Sequence, residues 1–186
     1  MPRAGVTRER VVATATRLAN ESGLDSLTLA AVASDLGVRT PSLYKHVDGL
    51  PSLRRLVAVR AKEDLAAVLA AASVGKARGD ALRALTAAYR AWASDHPAAA
   101  AAAQAAPDPD DPDDVAASQA ATDVVFGALS GYGLTDDALV DATRSLRAGL
   151  VGFAALESGG AFGLARPVAA SFTWWVDALD RALSAP

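Results

Sequence analysis

No cysteine occurs in the chain, and its two histidines are His46 and His96. The first absence excludes disulfides, thiolate metal sites and cysteine nucleophiles, and makes a reducing cytoplasm the expected compartment. The second leaves little from which to build an imidazole metal site or a Ser/His/Asp triad, because the histidines lie in different segments. No glycine-rich loop of the kind that cradles a phosphate is present. Catalytic residues, a metal site and a cofactor are therefore not expected, and the chain does not read as an enzyme. Long apolar runs are missing too: none approaches the roughly 18 residues of a membrane span, and no basic-then-apolar leader opens the chain. A soluble, cytoplasmic protein without a membrane partner is the expectation. Alternating apolar and polar residues, the mark of a half-buried strand, do not run over any useful length.

What the chain does have is apolar content, 52% over 186 residues, enough for one compact unit or two small domains that share packing. Apolar residues recur at helical spacing nearly everywhere, so the expected fold class is all-α. Thr7 suits the N-cap of a first helix with Val11, Val12, Ala15, Leu18 and Ala19 on one face, and Gly23 suits its end. A second short helix follows Thr28, with Leu29, Val32, Ala33 and Leu36 inward, and Gly37 turns the chain because glycine reaches positive φ without steric cost. Thr40 as N-cap and Pro41 as first helical residue open a third helix. It points Leu43 and Val47 inward and leaves Ser42, Tyr44, Lys45 and His46 at or near the surface. Asp48 and Gly49 lead into a long fourth helix carrying Leu53, Leu56, Val57, Leu65, Val68 and Leu69.

After a break at Gly75 to Gly79, a helix carries Leu82, Leu85, Tyr89 and Trp92 along one stripe. The run "PAAAAAAQAA", residues 97–106, is strongly helix-forming, since alanine loses no side-chain entropy there. "PDPDDPDD", residues 107–114, cannot continue a helix. It lacks the glycine and terminal glutamate of a calcium loop and reads as a solvated acidic loop, with Asp113 and Asp114 suited to the positive end of the next helix. Further helices are expected over 115–132, 136–158 and 167–184. The expected division is a three-helix front domain, 1–50, and a helical body, 51–186, in which 51–73 is the linking helix.

The net charge of −3 conceals an asymmetry: residues 1–62 carry ten Lys/Arg against five Asp/Glu, a net of +5, leaving −8 for the remainder. A basic front on an acidic body is a common footprint of a polyanion-binding domain, although a well-solvated surface can show the same imbalance. Two short helices meeting through Gly37 form a helix-turn-helix, which lays its second helix into the major groove of DNA while the first braces it. Brevity then makes sense, because only the first turn or two reaches base edges. A helix N-terminus also favours phosphate oxygens. The competing reading is a helical enzyme or small-molecule-binding module whose front helices only pack.

"LTLAAVASDLGVRTPSLYKHVDGLPSLRRLVAVRA", residues 27–61, resembles the DNA-binding region of the TetR family of bacterial transcriptional regulators. The similarity lies in the capped second helix, "LGV", the Ser-Leu-Tyr-x-His-Val core and the turn into a long helix. It covers about the first third of the chain; the remainder is similar to the family only in being helical and of suitable length. The resemblance implies a homodimer that binds a near-palindromic operator, usually as a repressor, and leaves DNA when a small-molecule effector enters the C-terminal domain. By position, it implies that Arg39, Thr40 and Ser42 read bases, that Tyr44, Lys45 and His46 meet phosphates and base edges, and that Thr28 holds a phosphate. One departure stands out. Many members place a Lys at the start of the fourth helix, where this chain has "GLPSL" with Leu50 and Pro51; that phosphate contact is either lost or taken by Ser52 and the helix N-terminus.

Two expectations concern the body. Tyr89 and Trp92, with Phe126, Leu129, Leu150 and Phe153, are large enough to wall an apolar cavity for a mainly hydrophobic effector, or equally to fill a core. In the last helix Val168, Phe172, Trp175, Val176, Leu179 and Leu183 share one face, and Trp174 projects away from it. In the preceding helix Leu139, Thr143, Leu146, Leu150 and Phe153 form the core stripe, while Ser145, Gly149 and Gly152 line another face. Each glycine inside a helix costs about 1 kcal/mol against alanine, which close approach of a neighbouring helix would offset. Ser145, Gly149, Gly152 and Trp174 are therefore the expected homodimer interface, a two-fold four-helix contact; the alternative is that Trp174 is covered by its own chain and the glycines admit an intramolecular neighbour.

Overall fold

The computed structural model describes residues 6–185, so that Arg3, one of the ten basic residues of the front segment, lies outside the described residues. Among the described residues every regular element is helical. In chain order they are α1 (Arg8–Ser22), α2 (Leu29–Asp35), α3 (Gly49–Ser73), α4 (Arg78–Asp95), α5 (Pro97–Ala102), α6 (Pro112–Ser130), α7 (Asp136–Ser158) and α8 (Val168–Ser184). Tighter 3-10 turns occupy Leu24–Ser26 and Thr40–Lys45. None of the described helices is long and apolar enough to cross a membrane.

Packing divides the chain into two compact units, Met1–Glu63 with His96–Ser118, and Asp64–Asp95 with Gln119–Pro186. These bounds differ from a cut at residue 50. Part of α3 and the whole segment around α5 pack with the front helices.

In the first unit, Thr7 caps α1 by accepting from the Arg10 N–H at 3.3 Å, and Gly23 ends it at φ 89°. Val11, Ala15, Leu27, Val32, Leu43, Val47, Leu53 and Val57 form the core beneath the short helices. The turn after α2 is built from paired backbone bonds: Val38 N–H donates to the Ala33 carbonyl (2.9 Å) and Gly37 N–H to that of Ser34 (3.1 Å). With Gly37 at φ 68°, this is the Schellman arrangement, which ends a helix while satisfying its last carbonyls.

The alanine run has a packing role beyond helix propensity. Its helix is shorter than expected, ending at Ala102, and it packs on α1, where Ala15 and Ala19 are fully buried. Asn20 on α1 accepts from the N–H groups of Ala98 (3.1 Å) and Ala99 (3.2 Å), satisfying two donors that the start of α5 would otherwise leave open.

The aspartate run is not a solvated loop throughout, which corrects the sequence expectation. Asp111 and Asp114 are buried. Lys62 on α3, itself 3% exposed, donates from Nζ to Asp114 Oδ1 at 2.5 Å, and the other carboxylate oxygen accepts from Asp108 N–H at 3.0 Å. Two turns earlier on α3, Arg55 Nη1 lies 2.7 Å from Asp111 Oδ2, an ion pair whose angle falls short of a hydrogen bond. Asp111 Oδ1 accepts from Asp113 N–H at 3.2 Å and so caps α6. The charge asymmetry changes accordingly. Ten Lys/Arg in the first unit stand against six Asp/Glu in its first segment and five Asp in its second, a net of −1 rather than +5.

Burial by itself would raise the Asp114 carboxyl, but the Lys62 bond, the Asp108 N–H and the charges of Lys62 and Arg55 outweigh it and hold it below the usual carboxylate range. A carboxyl depressed by folding stabilises above its unfolded pKa, and that contribution is lost as pH falls through the lower folded value. Lys62→Ala leaves a buried carboxylate without its partner and should cost about 3–5 kcal/mol in urea unfolding at neutral pH. The Lys62→Met, Asp114→Leu pair should cost much less, and Asp114→Asn should converge with the unaltered protein in acid. Equal losses for the single and paired variants at neutral pH would show that the buried charges are not what matters.

Candidate functional site

The short helix after Gly37 is a 3-10 helix of six residues, not an α-helix, and this reassigns its faces. Arg39, extended at φ −82° and ψ 144°, precedes it; Thr40 is its first residue and makes no capping bond with its side chain, so the expected Thr40 cap is corrected. With three residues per turn, positions three apart eclipse. Leu43 is fully buried, and Thr40 and His46 on the same edge are half-buried; Pro41, Ser42, Tyr44 and Lys45 are exposed. His46 and Val47 N–H both donate to the Leu43 carbonyl, at 2.8 and 3.0 Å, which closes the helix over its one anchor.

The outward set is thus Arg39, Ser42, Tyr44 and Lys45, with Tyr44 57% exposed. Thr28 is exposed at the start of α2 and accepts from Ala31 N–H at 3.1 Å, so its oxygen serves as a cap. Its hydroxyl proton stays available to an acceptor. Other cations of this unit are committed to the fold: Arg17 pairs with Glu21 (2.7 Å) and Asp35 (2.6 Å), and Arg54 donates to the Leu24 and Asp25 carbonyls. At the start of α3, Leu50 is half-buried against the core, Pro51 is exposed and Ser52 is half-buried.

In the second unit the six residues expected to wall a cavity do not line the one described here. Tyr89, Trp92, Leu129 and Leu150 are buried core, with the Tyr89 and Trp92 rings 6.3 Å apart. Burial pushes the Tyr89 hydroxyl above its ordinary pKa. Phe126 is half-buried, and Phe153 packs against Phe162, Phe172 and Trp175 at centroid distances of 4.8, 5.0 and 6.4 Å.

A cavity of about 510 Å³, broadly open to solvent, lies on the adjacent stripes of α4 and α8, with Glu157 of α7 among its lining residues. On α4 the lining residues include Thr86, Ala87, Arg90, Ala91 and Ser94, and on α8 Ala169, Phe172, Thr173 and Val176. Both sets recur at three- and four-residue steps, so the signal was present as a stripe of small and polar residues beside the aromatic one. Arg90 donates from Nε and Nη2 to the two Glu157 oxygens, at 2.7 and 2.5 Å, and its guanidinium lies 4.9 Å from the Phe172 ring centroid. The Arg90 bonds, working against burial, hold the Glu157 carboxyl below its usual range. At the other end Arg83 pairs with Asp177 (3.1 Å) and Asp180 (2.9 Å), and Asp180 also accepts from the Tyr132 hydroxyl at 2.6 Å. Among the described residues no group of His, Asp and Glu is placed to hold a metal ion.

The four residues expected at a dimer contact separate into two kinds. Gly149 is explained within the protomer, a correction: a Cβ there would land in the Trp175 ring, so the glycine lets α8 approach α7. Gly152 faces open space, Ser145 is exposed, and Trp174 is 63% exposed.

Residues 82–179 match the sequence profile of the tetracycline-repressor-like C-terminal domain. An uncharacterized helix-turn-helix transcriptional regulator of Mycobacterium tuberculosis is 39% identical over 158 residues, 84% of this chain and 72% of that protein. Among solved structures, a Rhodococcus protein of unknown function superposes with a TM-score of 0.81 at 23% identity, covering 99% of this chain and 98% of that one. A TetR variant from Acinetobacter baumannii in complex with minocycline superposes at 0.72, 20% identical, over 96% of both chains. At these identities the two structures speak for the fold.

The glycine contrast is testable. Gly149→Ala should lose about 1–3 kcal/mol by overpacking and alter the near-ultraviolet circular dichroism of the Trp175 cluster. Gly152→Ala should leave that spectrum as it is. An unaltered aromatic spectrum in Gly149→Ala would mean that Trp175 does not occupy this notch.

Proposed function

Because the chain belongs to the tetracycline-repressor-like (TetR) family of transcriptional regulators, DNA-binding proteins rather than enzymes, we propose that it is a repressor acting as a homodimer on a near-palindromic operator and released by a small-molecule effector. The observation that carries the operator reading is the outward face of Arg39, Ser42, Tyr44 and Lys45, held over a helix anchored through Leu43. Donors and acceptors on a short, well-seated helix suit base edges and phosphates in a major groove. Thr40 and His46, on the inner edge, contribute at the margin of this contact, and Thr28 adds a phosphate contact from the start of α2. Functionally the division is at residue 50, with the reading domain before it and 51–73 as the link to an effector-binding and dimerisation domain. The near-neutral total of the first unit makes attraction to DNA a property of this face, not of the unit as a whole.

Support for the homodimer comes from α7 and α8. An indole 63% exposed on α8, and on α7 a Gly152 that faces open space and a small, exposed Ser145, are features that a second copy would bury. Support for the effector comes from the cavity beside α4 and α8, which is of the size that small molecules occupy. A related fold binds minocycline.

Selection from random DNA supplies an operator for binding assays. Lys45→Ala should then weaken every sequence alike and lower the salt slope by about one. Arg39→Ala should relax base preference at a cost of about 1–3 kcal/mol if it reads a guanine. Unchanged operator affinity in the Tyr44→Ala, Lys45→Ala pair would refute the reading face. Trp174→Glu should sediment as a monomer and bind the operator poorly; a dimeric Trp174→Glu protein would place the interface elsewhere.

A further inference from the structure

We propose that the cavity beside α4 and α8 takes a neutral, mainly apolar molecule bearing a carbonyl-type acceptor, with Arg90 as the donor to that acceptor and Glu157 as the group that turns anions away. The proposal rests on the effector reading of the second unit and specifies its chemistry. A volume of about 510 Å³ is that of a site for one drug-sized molecule. Ala87, Ala91, Ala169 and Val176 present methyl groups, and Phe172 presents a ring, so most of a ligand's surface would meet hydrocarbon.

Orientation falls to Arg90. Two hydrogen bonds to Glu157 and the Phe172 ring beneath fix its guanidinium plane. Its remaining nitrogen, Nη1, has no hydrogen-bond partner among the described residues and belongs to a cavity-lining side chain. A donor held in place by other contacts binds an acceptor at little cost in ordering.

Charge selects the ligand class. The ionised residues of the lining are Arg83, Arg90, Glu157 and Asp177, which sum to zero; Arg90 pairs with Glu157, and Arg83 with Asp177 and, outside the lining, Asp180. A carboxylate at Nη1 would sit beside the like charge of Glu157 or have to displace it from Arg90, so it meets repulsion or gives up an existing pair. A cation finds carboxylates that already hold arginines. A carbonyl accepts from Nη1 and leaves both pairs intact.

Three probes on one naphthalene body test this: acetylnaphthalene, naphthoate and naphthylmethylammonium, titrated by calorimetry into the full chain. The ketone should bind about tenfold or more tightly than either ion. Glu157→Gln should bring naphthoate up by about tenfold, and Ala91→Trp, which fills the cavity from an exposed position, should abolish ketone binding. Arg90→Met should erase the preference for the ketone; if that variant unfolds, Glu157→Gln and Ala91→Trp still decide. Naphthoate binding as tightly as the ketone, no binding by any probe, or ketone binding unchanged in Ala91→Trp would each overturn the proposal. Ketone binding with the expected preference supports it even where operator affinity does not respond, and that second result would count against the effector reading alone.

Discussion

A lysine ammonium taken out of water must meet a carboxylate, and Lys62, 3% exposed, meets Asp114. The desolvation of both groups offsets much of their attraction, so such a pair contributes specificity more readily than net stability. Here the specificity is one of placement. Lys62 and Arg55 lie two turns apart on α3, and Asp114 and Asp111 lie one turn apart where α6 begins. Only one registration of the α6 start on α3 satisfies both. The same two carboxylates accept from backbone N–H groups of their own loop, which shapes a proline-rich segment that has no helix of its own. The segment His96–Ser118 becomes part of the first unit because its charges are answered there and its alanines fit against α1.

That placement changes how the attraction to DNA is to be understood. Front-loaded basic residues suggest a broadly positive domain, but Arg17, Arg54, Arg55 and Lys62 are spent on internal contacts. Five aspartates are folded back into the same unit. On the proposed reading, the exposed residues of the short 3-10 helix and its approach form a local patch, and within a Debye length of about 10 Å at 0.1 M salt a local patch is what a phosphate responds to.

The second unit separates roles that share one helix. On α4, Leu82, Leu85, Tyr89 and Trp92 make core, while the stripe one position over lines the cavity. On α8, Trp175 fits the notch at Gly149 while its neighbour Trp174 is left in solvent. Consecutive residues on a helix point about 100° apart, so adjacent tryptophans can belong to different surfaces.

Periodicity, capping and turn chemistry determined the helical fold, the ends of most helices, the turn at Gly37 and the exposure of Trp174, because each of these depends on residues within a few positions of one another. The motif in residues 27–61 carried the family. Tertiary structure decided the rest. Whether Tyr89 and Trp92 wall a cavity or fill a core depends on the volume supplied by distant helices, and whether Gly149 admits its own chain or another depends on where the Trp175 ring lands. The 3-10 geometry of Thr40–Lys45 moved Thr40 and His46 to the inner edge, since the turn before it and the anchor at Leu43 set the pitch, not the propensity of six residues. No local pattern in "PDPDDPDD" distinguishes the two aspartates that are buried from the three that are exposed; that choice is made by cations some fifty residues earlier, brought opposite them only by the fold.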